Sequence, residues 1–264
     1  MTHKRFFTKF SLTKIHVKND HYHWRHQMKR RSSNKEEKYY SKTLFAQKLK
    51  LAYEIASPRI QQYLEEEIKF VLTYINPSDT VLELGCGYGR VLKYLAEKAR
   101  KVVGIDISQV NLDYAKAYLS DYKNIELHFM TARKLRFSPQ SFDLVLGIQN
   151  PISSFKINPS LLVQESLTVT KNNGKILLSS YSEKIWNERL DWFIEQSKKG
   201  LIGEINFEKT KNGVIICKDG FTATTFTKED FSHLISRFNL DAEIIEVDNS
   251  SIFCIINVVH NNKH

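Results

Sequence analysis

The 264-residue chain contains little cysteine and lacks any long apolar segment. Its three cysteines, Cys86, Cys217 and Cys254, are odd in number and form no C-x-x-C pair, so the sequence predicts neither a disulfide framework nor a zinc site. No apolar run reaches the roughly 18 to 20 residues that span a membrane, and no signal-peptide core follows the basic start. We therefore predict a soluble protein of the reducing cytoplasm.

Positive charge is concentrated at the start of the chain. Residues 1–43 hold 12 Lys/Arg and 3 Asp/Glu, whereas the remainder holds 27 and 26 and is nearly neutral. The segment 1–38 has few aliphatic residues and is predicted to be a disordered basic tail, with a nucleic-acid-binding arm or a transit peptide as alternatives. The segment contains four histidines, which would have to converge to bind a metal ion. We therefore favour a polar tail over a metal site as the interpretation of His16, His21, His23 and His26.

Beyond this tail, helix and strand patterns alternate. Residues 39–75 carry two helical apolar repeats that are separated by Pro58. Five strands are then predicted at "VLELG", "KVVGIDIS", "IELHFM", "FDLVLGI" and "KILLSSY", the last one after a turn at Asn172-Asn173-Gly174. Strands that alternate with helices predict a parallel, doubly wound α/β sheet.

The end of the chain breaks this alternation. Thr227 and Asp230 have capping-box spacing, and the runs "AEIIEV" and "SIFCIINVV" predict an antiparallel C-terminal hairpin. An insertion at 182–226 precedes them, with an aromatic helix and a hairpin that turns at Asp219-Gly220. We expect this insertion to be a substrate lid. The candidate walls of a substrate pocket are Tyr181, Trp186, Trp192 and Phe193, with core packing of these aromatics as the alternative.

Three glycines at alternate positions follow the first strand in "LELGCGYGR". The dinucleotide pattern G-x-G-x-x-G fits Gly85 and Gly87 but needs its third glycine at Arg90, and the glycine stands one residue earlier, at Gly89. The loop is therefore predicted to bring its backbone close to a ligand without a pyrophosphate. An ordinary strand-to-helix turn is the alternative.

An acidic residue, Asp106, ends the second strand. Since ligands of open α/β sheets bind at the carboxyl ends of the strands, its carboxylate is predicted to accept hydrogen bonds from ribose hydroxyls. Helix capping together with Ser108 is the alternative.

These residues together resemble the class I S-adenosylmethionine-dependent methyltransferases. The first motif of that family is an acidic residue followed by G-x-G-x-G, matched here by Glu83 and the glycine loop, and its second acidic residue is matched by Asp106. "SFDLVLG" resembles the family's fourth strand, and the last helix and hairpin resemble its sheet ending. The resemblance implies a mostly parallel, seven-stranded, Rossmann-related sheet, and it makes 39–264 the methyltransferase-like domain.

The resemblance also implies an S-adenosylmethionine site at the carboxyl edge of the sheet. Glu83 would orient the loop or reach the methionine amino group through water, with a structural carboxylate as the alternative. At the adenine end, Met130-Thr131-Ala132 stands where relatives often have Gly-Asp-Ala. The candidate cofactor-binding residues are Glu83, Gly85, Cys86, Gly87, Gly89, Asp106, Ile107, Thr131, Ala132 and Gln149.

Catalysis of methyl transfer requires alignment and desolvation more than a nucleophile, because the sulfonium is already activated by its charge. Gln149 and Asn150 follow the fourth strand and are the candidates to face the methyl group. "NPISSF" resembles the N-P-P-aromatic motif of amino-group methyltransferases, but it has Ile152 at the second proline and its aromatic, Phe155, comes late. A plain Asn-Pro turn is the alternative.

The function predicted from the sequence is therefore S-adenosylmethionine-dependent methyl transfer to a small molecule. An RNA methyltransferase that uses the basic tail and a non-catalytic cofactor-binding protein are the alternatives, and the displaced third glycine disfavours a nicotinamide-dependent oxidoreductase. No metal is expected, because His128 and His233 have no ligand partners at suitable spacing. The methyl acceptor, its attacking atom and the oligomeric state are not predicted.

Overall fold

The computed structural model describes Tyr39 and residues 43–260. The basic segment 1–38 and its histidines lie outside the described residues. Two helices come first, α1 at Ala46–Glu54 and α2 at Pro58–Leu72. Pro58 occupies the first turn of α2, where its missing N–H breaks no helical hydrogen bond, and the Ser57 hydroxyl accepts the Ile60 N–H as the helix cap.

Seven strands form the central sheet. In chain order they are β1 (Thr80–Leu84), β2 (Lys101–Asp106), β3 (Ile125–Phe129), β4 (Phe142–Gly147), β5 (Thr170–Tyr181), β8 (Asp241–Val247) and β9 (Ser251–Asn257). Their spatial order is β3-β2-β1-β4-β5-β9-β8, and β9 runs antiparallel to both of its neighbours. The other strand pairs are parallel. The predicted fold class is confirmed, including the closing hairpin.

Helices cover both faces of this sheet. They are α3 (Leu92–Ala96), α4 (Gln109–Tyr118), α5 (Pro151–Ser154), α6 (Pro159–Val169) and α8 (Lys228–Ser236). All five residues of β1 are buried, and neighbours such as Val81 and Leu82 belong to apolar clusters on opposite faces. The predicted capping box is present at α8, where Thr227 and Asp230 exchange both hydrogen bonds.

The turn predicted at Asn172-Asn173-Gly174 lies inside a strand instead of before one. β5 begins at Thr170, and its pairing with β4 slips so that Phe142 faces Thr170 while Leu144 already faces Lys175. Asn173 takes a positive φ of 63° within this bulge and donates its N–H to the Val258 carbonyl. The turn-forming sequence is thus accommodated as a bulge, because Val258, the residue after β9, continues the pairing there.

The insertion packs against the two N-terminal helices. It contains a 3₁₀ turn, α7 (Trp186–Lys198) and a separate two-stranded sheet of β6 (Val214–Ile216) and β7 (Thr222–Thr224). A third apolar cluster joins α1 and α2 to this insertion, and the Trp192 indole N–H donates to the Ala52 carbonyl at 2.7 Å. Tyr181, Trp192 and Phe193 are buried in this cluster, so the packing alternative holds for them. Trp186 lies half-buried beside a separate cavity of about 220 Å³.

Candidate cofactor site

The glycine loop lies at the carboxyl end of β1, between β2 and β4. The strand order reverses at this point, where doubly wound sheets open a ligand crevice. Gly85, Gly87 and Gly89 all have positive φ, at 69°, 54° and 90°. Other residue types rarely adopt this conformation, so the alternate glycines of the sequence are required by the backbone itself.

The three glycines nevertheless face different surroundings. A Cβ built on Gly85 would lie 2.5 Å from the Phe155 ring, and one built on Gly89 would lie 2.5 Å from Leu119. Gly85 and Gly87 line a cavity of about 50 Å³ together with Cys86, whereas Gly89 is not among its lining residues. Gly89 thus serves the packing of the loop on the helix layer.

Asp106 fastens the glycine loop to the end of β2. Its carboxylate accepts hydrogen bonds from the Gly87 N–H at 2.9 Å, the Ser108 N–H at 2.8 Å and the Asn111 amide at 3.3 Å. Burial raises the pKa of this carboxyl, and the donated hydrogen bonds act in the opposite direction. The Ser108 hydroxyl separately caps α4, and Asp106 holds the glycine loop in place without lining its cavity.

Three buried polar atoms around the cavity have no hydrogen-bond partner among the described residues. They are one carboxylate oxygen of Glu83 (Oε2), one guanidinium nitrogen of Arg90 (Nη2) and the amide nitrogen of Gln149 (Nε2). Burial raises the Glu83 pKa to about 8, against the opposing effect of Arg90. Because unpaired buried polar atoms are costly, one carboxyl oxygen and two nitrogen donors at one cavity indicate a polar ligand.

The first helix contributes residues that sequence reasoning missed. Tyr53 of α1 donates its hydroxyl to the Gln149 side-chain oxygen at 2.7 Å, and the Arg90 guanidinium stacks 4.8 Å from the centre of the same ring. Leu49 lines the cavity opposite the glycine loop. The sequence contained one signal for Arg90. A cation just before the N-terminus of a helix interacts unfavourably with the helix dipole, so its side chain needs another interaction partner.

The two catalytic candidates, Gln149 and Asn150, have different environments. Both have positive φ, at 61° and 67°. The Asn150 amide donates to the Thr224 carbonyl at 2.8 Å and accepts from the Ser180 hydroxyl at 3.1 Å, so it ties the insertion to β5. Of these two residues, only Gln149 lines the cavity.

The predicted adenine-end residues follow the carboxyl ends of β2 and β3. β2 and β3 pair so that Asp106 faces Phe129, which places Ile107 near Thr131 and Ala132 at one edge. Ile107 is 40% exposed, Thr131 is exposed, and Ala132 is buried. The Thr131 hydroxyl accepts the backbone N–H of Arg133 at 3.2 Å. None of these three residues lines the cavity of the glycine loop.

Metal ligands do not cluster in the described part of the chain. Among Tyr39 and residues 43–260, no three His, Cys, Asp or Glu side chains could hold a metal ion, and the three cysteines are free and buried. Within the same residues, no helix is long and apolar enough to cross a membrane.

Comparison with known proteins defines the class. Residues 81–174 match the model of a methyltransferase domain family. The fold superimposes on a SAM-dependent methyltransferase from Aquifex aeolicus with a TM-score of 0.55 and 14% identity, covering 80% of this chain and 98% of that one. Residues 81–174 therefore carry the methyltransferase domain, and the described chain has the class I fold of the S-adenosylmethionine-dependent methyltransferases, so the resemblance stated from the sequence is confirmed.

Two curated relatives match shorter segments. A stretch of 53 residues is 43% identical to the ribosomal RNA small subunit methyltransferase A of Alkaliphilus metalliredigens, covering 20% of this chain and 18% of that protein. A stretch of 109 residues is 25% identical to the ubiquinone biosynthesis O-methyltransferase of Bartonella tribocorum, covering 40% and 43%. The chain thus spans less than half the length of these relatives.

Proposed function

We propose that this protein binds S-adenosylmethionine at the glycine loop and transfers the methyl group to a small-molecule acceptor. The observation that carries the proposal is the set of unpartnered atoms of Glu83, Arg90 and Gln149 at one cavity. The methionyl end of the cofactor is an ammonium beside a carboxylate. Glu83 would pair with the ammonium, and the Arg90 and Gln149 nitrogens would pair with the carboxylate.

The remaining cofactor groups find chemically suitable residues. Asp106, which accepts the Gly87 N–H but does not line the cavity, would accept hydrogen bonds from the ribose hydroxyls, and Ile107 beside it would offer its exposed apolar surface to adenine. The cofactor supplies a methyl group already activated by the sulfonium charge. The protein's task is then to align the acceptor and exclude water, which needs no nucleophilic side chain.

A small-molecule acceptor is supported by the way α1 and the insertion cover the carboxyl edge of the sheet. α1 crosses the glycine loop through Leu49 and Tyr53, and the Trp192 contact with Ala52 holds the insertion against α1. We propose that α1 and the insertion together form the substrate lid. The described part of the chain also lacks the strong positive charge that phosphate binding demands.

An RNA acceptor is the second candidate. The basic segment 1–38 and the short match to a ribosomal RNA methyltransferase favour it. We prefer the small molecule because that match covers 18% of the relative. The three free, buried cysteines are consistent with our proposal of a reducing compartment such as the cytoplasm.

The test compares four ligands by calorimetry. S-adenosylmethionine and S-adenosylhomocysteine should bind, methylthioadenosine, which lacks the amino-acid group, should bind at least about tenfold more weakly, and NAD should not bind. Arg90→Ala should weaken the binding of S-adenosylhomocysteine but not that of methylthioadenosine. Lys93→Ala, which removes an ammonium group stacked on Tyr94, should change the binding of neither ligand. Tight binding of NAD or no binding of S-adenosylmethionine would overturn the proposal.

The acceptor class can be separated by a radiolabel. Incubating the protein with methyl-labelled S-adenosylmethionine and a fractionated cell extract should place the label in the small-molecule fraction. Label that appears in the RNA fraction and disappears after ribonuclease treatment would favour the second candidate.

A further inference from the structure

Glu67 of α2 is a fully buried carboxyl group with three hydrogen-bond donors. It accepts from the Ser179 hydroxyl at 2.6 Å, the Ser251 hydroxyl at 3.0 Å and the backbone N–H of Gln149 at 3.2 Å. Its side chain is 0% exposed. One helix side chain therefore joins the end of β4 to β5 and β9.

Stability alone does not explain a carboxyl group at this position. Burial raises the Glu67 pKa to about 7, against the opposing effect of the two serine hydroxyls. Replacing buried ionic groups by apolar residues is often neutral or stabilising, so a buried carboxyl that reaches a candidate site suggests a further role. Among the contacts of Glu67, the one to Gln149 leads to the cofactor cavity.

The peptide that Glu67 contacts is in a strained conformation. Gln149 and Asn150 are consecutive non-glycine residues with positive φ, which is rare and persists only when neighbouring groups hold it. The Gln149 N–H is shared between Glu67 and the Ser179 hydroxyl, the latter at 2.9 Å. These two side chains fix the direction in which Gln149 leaves the strand.

We propose that Glu67 is a positioning residue that, with Ser179, holds the Gln149 peptide so that the Gln149 amide nitrogen faces the methionyl end of the cofactor. The proposal rests on the proposed function. It assigns Glu67 no contact with the cofactor, and it attributes its effect on binding entirely to Gln149.

The first experiment compares two buried serines. Ser179→Ala removes a group that holds the Gln149 N–H, whereas Ser251→Ala removes a donor to the same Glu67 oxygen and leaves both hydrogen bonds of the Gln149 N–H in place. With S-adenosylhomocysteine as the calorimetric probe, Ser179→Ala should weaken binding about fivefold and Ser251→Ala less than about twofold. Equal effects from both serines would overturn the positioning role.

The second experiment is a double-mutant cycle. Glu67→Gln should weaken S-adenosylhomocysteine binding about fivefold in the wild-type background. In a Gln149→Ala background, which has no side-chain amide to position, the same substitution should weaken binding less than about twofold. Glu65→Gln, on the exposed side of α2 beside Lys69, is the matched control and should have no effect. Additive losses would show a general structural role for Glu67 and overturn the inference.

The failures of the two proposals are distinguishable. If the wild-type protein binds neither S-adenosylmethionine nor S-adenosylhomocysteine, the proposed function fails and the inference fails with it. If the wild type binds both and the cycle is additive, only the role of Glu67 is overturned. Should Glu67→Gln not fold, the comparison of Ser179→Ala with Ser251→Ala decides the question.

Discussion

The Tyr53 hydroxyl donates a 2.7 Å hydrogen bond to the side-chain oxygen of Gln149, joining the first helix to the end of β4. Burial raises the Tyr53 pKa, so the phenol keeps its proton and acts as the donor. The amide oxygen of Gln149 is thereby occupied, and its nitrogen is left for the cavity. One aromatic side chain thus orients Gln149 and stacks against Arg90.

Removing this hydroxyl tests the orientation. Tyr53→Phe keeps the ring against Arg90 but frees the Gln149 amide to rotate, so S-adenosylhomocysteine affinity should fall about three- to tenfold. Isothermal calorimetry measures the change, and Tyr122→Phe, whose hydroxyl contacts Glu97 on the surface, should bind normally. Normal binding by Tyr53→Phe would show that Gln149 does not need this hydrogen bond.

Asp106 provides the test of the ribose assignment. Asp106→Asn keeps the size of the side chain but removes the charged acceptor, and S-adenosylmethionine binding should weaken by about 1.5 to 3 kcal/mol, roughly ten- to hundredfold. Asp113→Asn, on the exposed side of α4, is the matched control. A folded Asp106→Asn protein with an unchanged dissociation constant would restrict Asp106 to its role as a loop anchor.

The raised pKa of Glu83 leads us to expect that cofactor binding releases a proton. Its pKa of about 8 in this structure exceeds its usual value, so the carboxyl is mainly protonated at pH 7. Pairing with the methionyl ammonium stabilises the ionised form and lowers that pKa, so binding must release a proton and strengthen as pH rises toward about 8.

Calorimetry in buffers with different ionisation heats measures this proton. Wild type should release about one proton at pH 7, and its affinity should increase by up to roughly tenfold per pH unit below the Glu83 pKa. Glu83→Gln should lose this contribution, while any residual pH dependence would report other groups such as Glu67. Equal proton release by wild type and Glu83→Gln would remove Glu83 from the ammonium site.

The sheet and the glycine loop were predictable because their determinants are local in sequence. Strand length, glycine spacing and the capping pair at Thr227 and Asp230 act within a few residues. The bulge in β5 was not predictable in the same way. The Asn173 N–H keeps its place in the strand through Val258, a partner supplied by the final strand region.

Contacts that complete the site join distant parts of the chain. Tyr53 lies 96 residues from Gln149, and Glu67 lies 112 residues from Ser179. The helical periodicity of the sequence places Tyr53 and Glu67 only on helix faces. Their contacts with the residue that follows the end of β4 depend on tertiary packing. Asn150 shows the converse, because its motif-like position suggested chemistry while its amide is engaged in joining the insertion to the sheet.

The role of Asn150 can be separated from catalysis. Asn150→Ala removes hydrogen bonds to Thr224 and Ser180 and leaves buried groups unpaired, so unfolding free energy should fall by about 1 to 3 kcal/mol. S-adenosylhomocysteine affinity of the folded protein should stay within about twofold. Denaturant unfolding and calorimetry measure the two quantities, and unchanged stability with a large loss of affinity would favour the predicted role of Asn150 at the site over this structural one.

Deleting residues 1–38 tests the class of acceptor. Tyr39 must remain, since its hydroxyl donates to Asp219 at 2.7 Å and its ring packs 4.9 Å from Phe221. Because the deleted segment has few aliphatic residues and lies outside the alternating helix and strand pattern, melting temperature and S-adenosylhomocysteine affinity should hardly change. Differential scanning fluorimetry and calorimetry of the full and shortened chains measure both.

The same pair of chains separates a small-molecule enzyme from an RNA enzyme. If the basic segment binds phosphates, its deletion should flatten the slope of log K against log salt by about 0.7 to 0.9 for every phosphate that it neutralises. Titration with a labelled RNA at two salt concentrations should therefore show weak, salt-sensitive binding by the full chain and almost none by residues 39–264. Tight, salt-resistant binding by the shortened chain would require recognition beyond phosphate charge, and it would place the RNA acceptor ahead of the small molecule.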